Sequence, residues 1–199
     1  MKWRLSHRVI LGTALCLLAA GATAQQALKI KPLAEKQVAE LPTGALFWRI
    51  ENVDSVAQAE AEAGPWSLVA EAAGKVWLFT LGPSGGTSRN ATKAAEVGPI
   101  PRVGAARYLL RINEASGAPG SMTAVHSHPG SEAFFVLTGE QSIRSSSGVM
   151  KVKAGQAEAG QGAEGAMQVS SSGATDLHAL VMFVVDANKP FSSPAALQD

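Results

Sequence analysis

The sequence predicts an all-β domain, and three observations carry the prediction. Twenty glycines and ten prolines in 199 residues supply many turns. Short runs rich in β-branched and aromatic residues recur between those turns at even spacing. Only one segment carries helix start and stop signals at both ends. The length suits one domain with a sizeable core. A hydrophobic fraction of 46%, a charged fraction of 17% and a mean hydropathy of +0.10 belong to an ordinary globular chain.

The first residues read as a leader to be set apart from the fold. Lys2, Arg4 and Arg8 make a positive start, Val9 to Ala20 is an unbroken apolar or small run, and Ala22-Thr23-Ala24 has the small-x-small form of a signal-peptidase site. A run of about a dozen residues is too short for a bilayer span of roughly twenty. Residues 1–24 are therefore expected to be cleaved. This places the mature chain in a secreted or periplasmic location, with no membrane attachment after cleavage. Cleavage removes three basic and no acidic side chains, so the mature charge is about −2. No basic stripe is visible, which argues against nucleic acid as a partner. Cys16 leaves with the leader, so the mature chain has neither disulfide nor thiolate chemistry.

In order, Gln25 to Thr43 is a lead-in without clear periodicity, and Leu46 to Glu51 is a strand. A helix follows from Val56 to Ala63, with Ser55 and Gln58 placed as a capping box and Gly64-Pro65 as the stop. Ser67 to Glu71 and Lys75 to Leu81 flank Ala73-Gly74 as a hairpin. Gly82 to Pro101 reads as a long loop. Arg107 to Asn113, Met122 to His128, Glu132 to Thr138, Gln141 to Ser145 and Val149 to Lys153 read as strands. Gly155 to Gly165 defines no strand, Met167 to Ser170 is a weak one, and Leu177 to Val185 is apolar on both faces, as a buried strand is. Evenly spaced strands suit a sandwich or a barrel, and periodicity does not choose between them. The expected organisation is an N-terminal extension over 25–105, a strand-rich unit over 106–190 and a tail over 191–199.

The chemistry concentrates in the text between Gly120 and Gly139. His126 and His128 are at i and i+2, so on a strand they project from one face. Pro129-Gly130-Ser131 reads as a tight turn, after which Glu132 opens the neighbouring antiparallel strand and can lie beside the imidazoles. Phe134 and Val136 follow on the Glu132 face and are expected to line an apolar chamber. Two imidazoles and one carboxylate with open positions form a facial triad for a divalent transition metal, Fe(II) above all, with Mn, Ni, Cu and Zn also fitting.

The spacing Gly-x5-His-x-His-x3-Glu-x6-Gly, carried by Gly120, His126, His128, Glu132 and Gly139, resembles the first motif of the cupin superfamily. The resemblance implies a double-stranded β-helix (a cupin or jelly-roll barrel) over 106–190, with extra strands and one short helix before it. It also implies metal ligation by these three residues and by a third histidine from a second motif, and pairing of subunits as a homodimer. The second motif is degenerate. Counting from Gly155, its histidine position falls on Ala166 and its asparagine on Ser170. Met167, one position on, is either a soft ligand or a core filler, and Gln168 is either a pocket contact or a solvated side chain. His178 is a candidate ligand or general base if its strand turns that face inward. Trp48, Trp66, Trp77 and Tyr108 read as core before pocket.

Three functions remain open at this stage. One is a metal-dependent oxygenase acting on a small organic molecule. Another is a metal-dependent isomerase or lyase with His178 as base. The third is a non-enzymatic module that binds a small molecule or a metal.

Overall fold

A computed structural model describes residues 26–197, and the expected leader, residues 1–24, lies outside them. Among the described residues fourteen strands form three antiparallel sheets, accompanied by one helix. Two five-stranded sheets face each other. The first has the order β1-β6-β13-β8-β11, from β1 (Lys29–Val38), β6 (Tyr108–Gly117), β13 (Leu177–Asp186), β8 (Gly130–Thr138) and β11 (Ala157–Ala159). The second has the order β10-β9-β12-β7-β14, from β10 (Gly148–Lys153), β9 (Glu140–Ser145), β12 (Met167–Ser171), β7 (His126–Ser127) and β14 (Ser193–Pro194). From β6 to β13 the chain steps back and forth between these sheets. The inner orders 6-13-8-11 and 10-9-12-7 are those of a jelly roll wound as a double-stranded β-helix.

The third sheet, β3-β4-β2-β5, packs on the outside of the first. It is built from β2 (Leu46–Val53), β3 (Ser67–Ala72), β4 (Lys75–Gly82) and β5 (Thr92–Ile100). Trp48, Ile50, Phe79 and Leu81 from this sheet meet Leu110, Ile112, Leu180 and Met182 from the barrel in one core. Strand β13 therefore has no solvent face. Its Leu180, Met182 and Val184 enter this outer core, while Ala179, Val181, Phe183 and Val185 enter a second core inside the barrel. That double burial is the physical reason for its continuous apolar run.

The helix α1 (Val56–Glu62) lies against β3 and β4 and buries Ala59. Ser55 caps it by accepting from the Gln58 backbone N–H at 3.2 Å, but the Gln58 amide donates to Asn90 O instead of closing the box. The β3–β4 hairpin turns through Ala73 and Gly74, both at positive φ (51° and 69°). Trp48 and Trp77 are core residues, as expected; Trp66 and Tyr108 are partly buried against the same core, and the Trp66 indole donates to Glu40 O.

Three expectations need correction here. The lead-in contains a ten-residue strand, β1, which completes the barrel sheet beside β6 and so does not belong to an extension. Pro32 sits next to its bulge, and its burial pattern is mostly open on both faces, so no alternation reveals it. The expected long loop contains β5, an edge strand paired to β2 with two irregularities of register. The glycine-rich stretch contains the short β11. Among the described residues no helix is long and apolar enough to cross a membrane.

Candidate functional site

A cavity of about 300 Å³ opens at one end of the barrel, and His126, His128, Glu132 and Phe134 all line it. The histidines come from the second sheet, at and just past β7, and Glu132 and Phe134 from β8 in the first. This corrects the expected hairpin. Strands β7 and β8 are not neighbours; β7 pairs with β12 and β14, and β8 with β13 and β11. The Pro129-Gly130 step carries the chain from one sheet to the other, so the imidazoles and the carboxylate reach the cavity from different sheets. Gly130 permits the crossing because a Cβ there would stand 2.1 Å from Val184 O. The motif's closing glycine has an equally local reason: Gly139 has φ 76° and a Cβ on it would meet Asp176 O at 2.8 Å.

Each histidine is oriented by a backbone carbonyl. His126 Nδ1 donates to Ala124 O at 2.9 Å and His128 Nδ1 to Phe191 O at 2.6 Å. A carbonyl only accepts, so both rings carry the Nδ1 proton and keep the Nε2 lone pair free. The rings lie edge to face with centroids 5.0 Å apart. Burial pushes the His128 pKa down to about 4, against the opposing pull of the Phe191 carbonyl; His126 and Arg111 lower it further.

Glu132 is 2% exposed, and its Oε1 is buried with no hydrogen-bond partner among the described residues. Burial drives its pKa up to about 8, with the Gln161 backbone hydrogen bond opposing. Its Oε1 lies toward Gly160, where a Cβ would stand 2.6 Å from Glu132 Cγ and 2.9 Å from Oε1. A carboxyl group in this position must hold a proton or face a cation.

The remaining expected residues are distributed differently. Val136 and Met167 are buried in the barrel's apolar core and are not among the cavity's lining residues. Gln168 has the opposite parity to Met167 and Val169 and donates its amide to Thr123 O, so it does not reach the cavity. His178 is also outside. It shares a face with Leu180 and Met182, directed away from the barrel interior, and is paired through Nε2 with Glu114 Oε1. Register places it five residues along β13 from Phe183, the partner of Glu132.

The site contains two parts that the sequence reading missed. The segment 191–197 is a strap, not a free tail. Pro194 pairs with His126 and Ser193 with Ser127, and the Phe191 ring lies 4.8 Å from those of His128 and 4.9 Å from Phe183. Asn113 of β6, 2% exposed, lines the cavity opposite Glu132, with Val181 and Phe183 of β13 between them. It gave no distinct signal, because β6 is a half-buried strand that also carries Arg111, Glu114 and Ser116.

No family model matches this chain, and no curated protein does. Solved structures do resemble it. A cupin superfamily protein from Desulfitobacterium hafniense is 17% identical over 39% of this chain and 68% of its own, with a TM-score of 0.35. A cupin-like protein from Thermotoga maritima is 15% identical over 44% and 65%, with a TM-score of 0.39. An uncharacterized conserved protein with a double-stranded β-helix domain from Klebsiella pneumoniae is 22% identical over 44% and 75%, with a TM-score of 0.37. These likenesses are partial, and the strand order described above is what decides the fold. The chain has a double-stranded β-helix fold.

Within this barrel the donor set suits a divalent metal in chemistry. It offers two free imidazole nitrogens, each with its other nitrogen on a carbonyl, and one orphaned carboxyl oxygen. It is not gathered: among the described residues no three His, Cys, Asp or Glu are close enough together to hold an ion as they stand. Ala166 occupies the expected fourth position and supplies no donor.

Proposed function

We propose that this cupin-fold protein, secreted or periplasmic as its N-terminal pattern suggests, binds one divalent transition metal through His126, His128 and Glu132. In this reading it acts on a small, largely apolar organic molecule in the adjoining cavity, with oxygenase chemistry as its reaction class. The observation that carries the reading is that two carbonyl-oriented imidazoles and a buried carboxyl group with an unpartnered oxygen line one apolar cavity. A metal held by two imidazoles and a carboxylate with positions left open supplies activation of O2 and of a bound oxygen atom. The chain's own contribution is to orient both imidazoles by their Nδ1 protons, to keep Glu132 dry, and to exclude water with Phe134, Phe183 and Phe191.

The isomerase or lyase reading loses its base, because His178 is engaged with Glu114 on another face. A second reading keeps support from the ungathered donors: a module that holds a small molecule and turns nothing over.

Metal analysis after reconstitution with Fe(II), Mn(II), Ni(II), Cu(II) or Zn(II) tests the proposal. About one equivalent is expected in the wild type, and at least about a tenfold loss of affinity in His126→Ala. An oxygen electrode then separates the readings. Metal uptake without O2 consumption on any small apolar substrate leaves the binding module, and no metal uptake at all ends the metal reading.

A further inference from the structure

The cavity wall is mostly apolar, and its buried polar side chains fall at two places. Glu132 and the histidines occupy one, and Asn113 the other. Thr123 has its hydroxyl oxygen engaged by the Val169 N–H, and Ser192 stands exposed at the rim. Asn113 differs from both in being buried and held in a single orientation. Arg111 Nε donates to Asn113 Oδ1 at 2.9 Å. A guanidinium donates and never accepts, so the amide cannot be turned over: Oδ1 faces Arg111, and the Nδ2 hydrogens face elsewhere. None of the described residues accepts from Nδ2, and the Asn113 side chain lies on the cavity surface.

Arg111 is itself fixed on two further sides. Its guanidinium carbon lies 4.2 Å from the centroid of the Phe191 ring, and Nη1 is 3.6 Å from Glu35 Oε2 on β1. Asn113 is the register partner of Val181, two positions along β13 from the Phe183–Glu132 pair. A molecule lying on Val181 and Phe183 therefore has the carboxyl group at one end and an amide donor at the other.

We infer that Asn113 Nδ2 is the specificity-determining donor of this cavity. Its ligand is then a small apolar molecule bearing a hydrogen-bond acceptor oxygen, a carbonyl above all, at the end remote from Glu132. Arg111 is the positioning residue that keeps the donor turned inward. A buried donor that must leave water to receive a ligand discriminates strongly against an isostere that cannot accept. The inference rests on the reading of the cavity as the ligand site and not on the metal.

The test uses chelator-treated full-length protein and two probes of nearly equal shape, cyclohexanone and methylenecyclohexane, which differ in one acceptor oxygen. Binding is followed by the ¹⁵N–¹H signals of the Asn side chains. The ketone is expected to bind at least about tenfold more tightly than the alkene and to shift the Asn113 Nδ2 pair. Asn113→Asp keeps the shape and the Arg111 contact but offers no donor, and should bring the two affinities within about twofold. Arg111→Met, which frees the amide to turn, should lower the preference for the ketone. A ketone preference that persists in Asn113→Asp overturns the inference, as does binding of neither probe by the wild type. Because the protein is metal-free throughout, either failure is separate from failure of the metal reading.

Discussion

Raising the pH from 6.5 to 8 is expected to cost the metal-free protein about 2 kcal/mol of folding stability. The cause is Glu132. Its folded pKa of about 8 stands above the ordinary 4.5 because the carboxyl group is buried. The folded chain holds a proton that the unfolded chain releases. Glu132's contribution is thus fully present below 4.5 and is lost as pH rises through 8. His128 has the opposite sign. Its folded pKa of about 4 lies below the ordinary 6.5, so its contribution grows from pH 4 to 6.5 and then stops. The two oppose each other between 4.5 and 6.5, and above 6.5 Glu132 acts alone of the pair. Urea midpoints taken every half pH unit with chelator present will show the fall, and Glu132→Gln should remove it. A slope that survives in the Gln variant would show that another group is responsible. A bound divalent cation should also abolish the slope, because it takes the proton's place on the carboxylate.

Ending the chain at Pro190 is expected to reduce metal affinity by at least about tenfold, the size of effect seen when the partner that orients a ligand is lost. Truncation removes the Phe191 carbonyl from His128 Nδ1, the β14 pairing beside His126, and the ring packed on His128, Phe183 and Arg111. Phe191→Ala separates these contributions. It keeps the carbonyl and loses the ring, so it should lower stability by about 2 kcal/mol, less than a fully buried Phe would cost. Its metal affinity should stay within about threefold of the wild type's, as the orienting hydrogen bond survives. Isothermal titration with Zn(II) reads one quantity and urea unfolding the other. Equal metal affinity in the truncated and full-length chains would remove the strap from the site.

The parts of the fold legible in the sequence are those where one local rule suffices. Strands β2 to β4, β6, β8 to β10 and β13 show their alternation or their double burial, and the Ser55 cap and the Ala73-Gly74 turn are local chemistry. Edge strands were hidden for a physical reason. Both faces of β1 are mostly open and Pro32 sits next to its bulge, while β5 slips register twice against β2. The pairing of β7 with β8 was misread because period-two alternation says which way a side chain points and nothing about which sheet receives the strand. Gly130 held the clue, since a glycine after proline serves a turn or a close approach equally well, and only the contact with Val184 decides between them. Phe191 lies sixty-three positions from His128, in a segment without periodicity, and reaches it only through long-range pairing. Asn113 and Arg111 read as the solvent side of a half-buried strand, because the sequence cannot show that this face closes over a cavity.

The central claim is that one divalent ion is held between His126, His128 and Glu132. Anomalous diffraction from crystals of the mature chain soaked in Mn(II) or Co(II) tests it most directly. The expected result is a single peak inside the cavity, about 2.0–2.3 Å from both imidazole Nε2 atoms and from the Glu132 carboxylate, with the carboxyl group drawn toward the histidines. A cavity without a peak, or a peak on the histidines alone with Glu132 still facing Gly160, would contradict it.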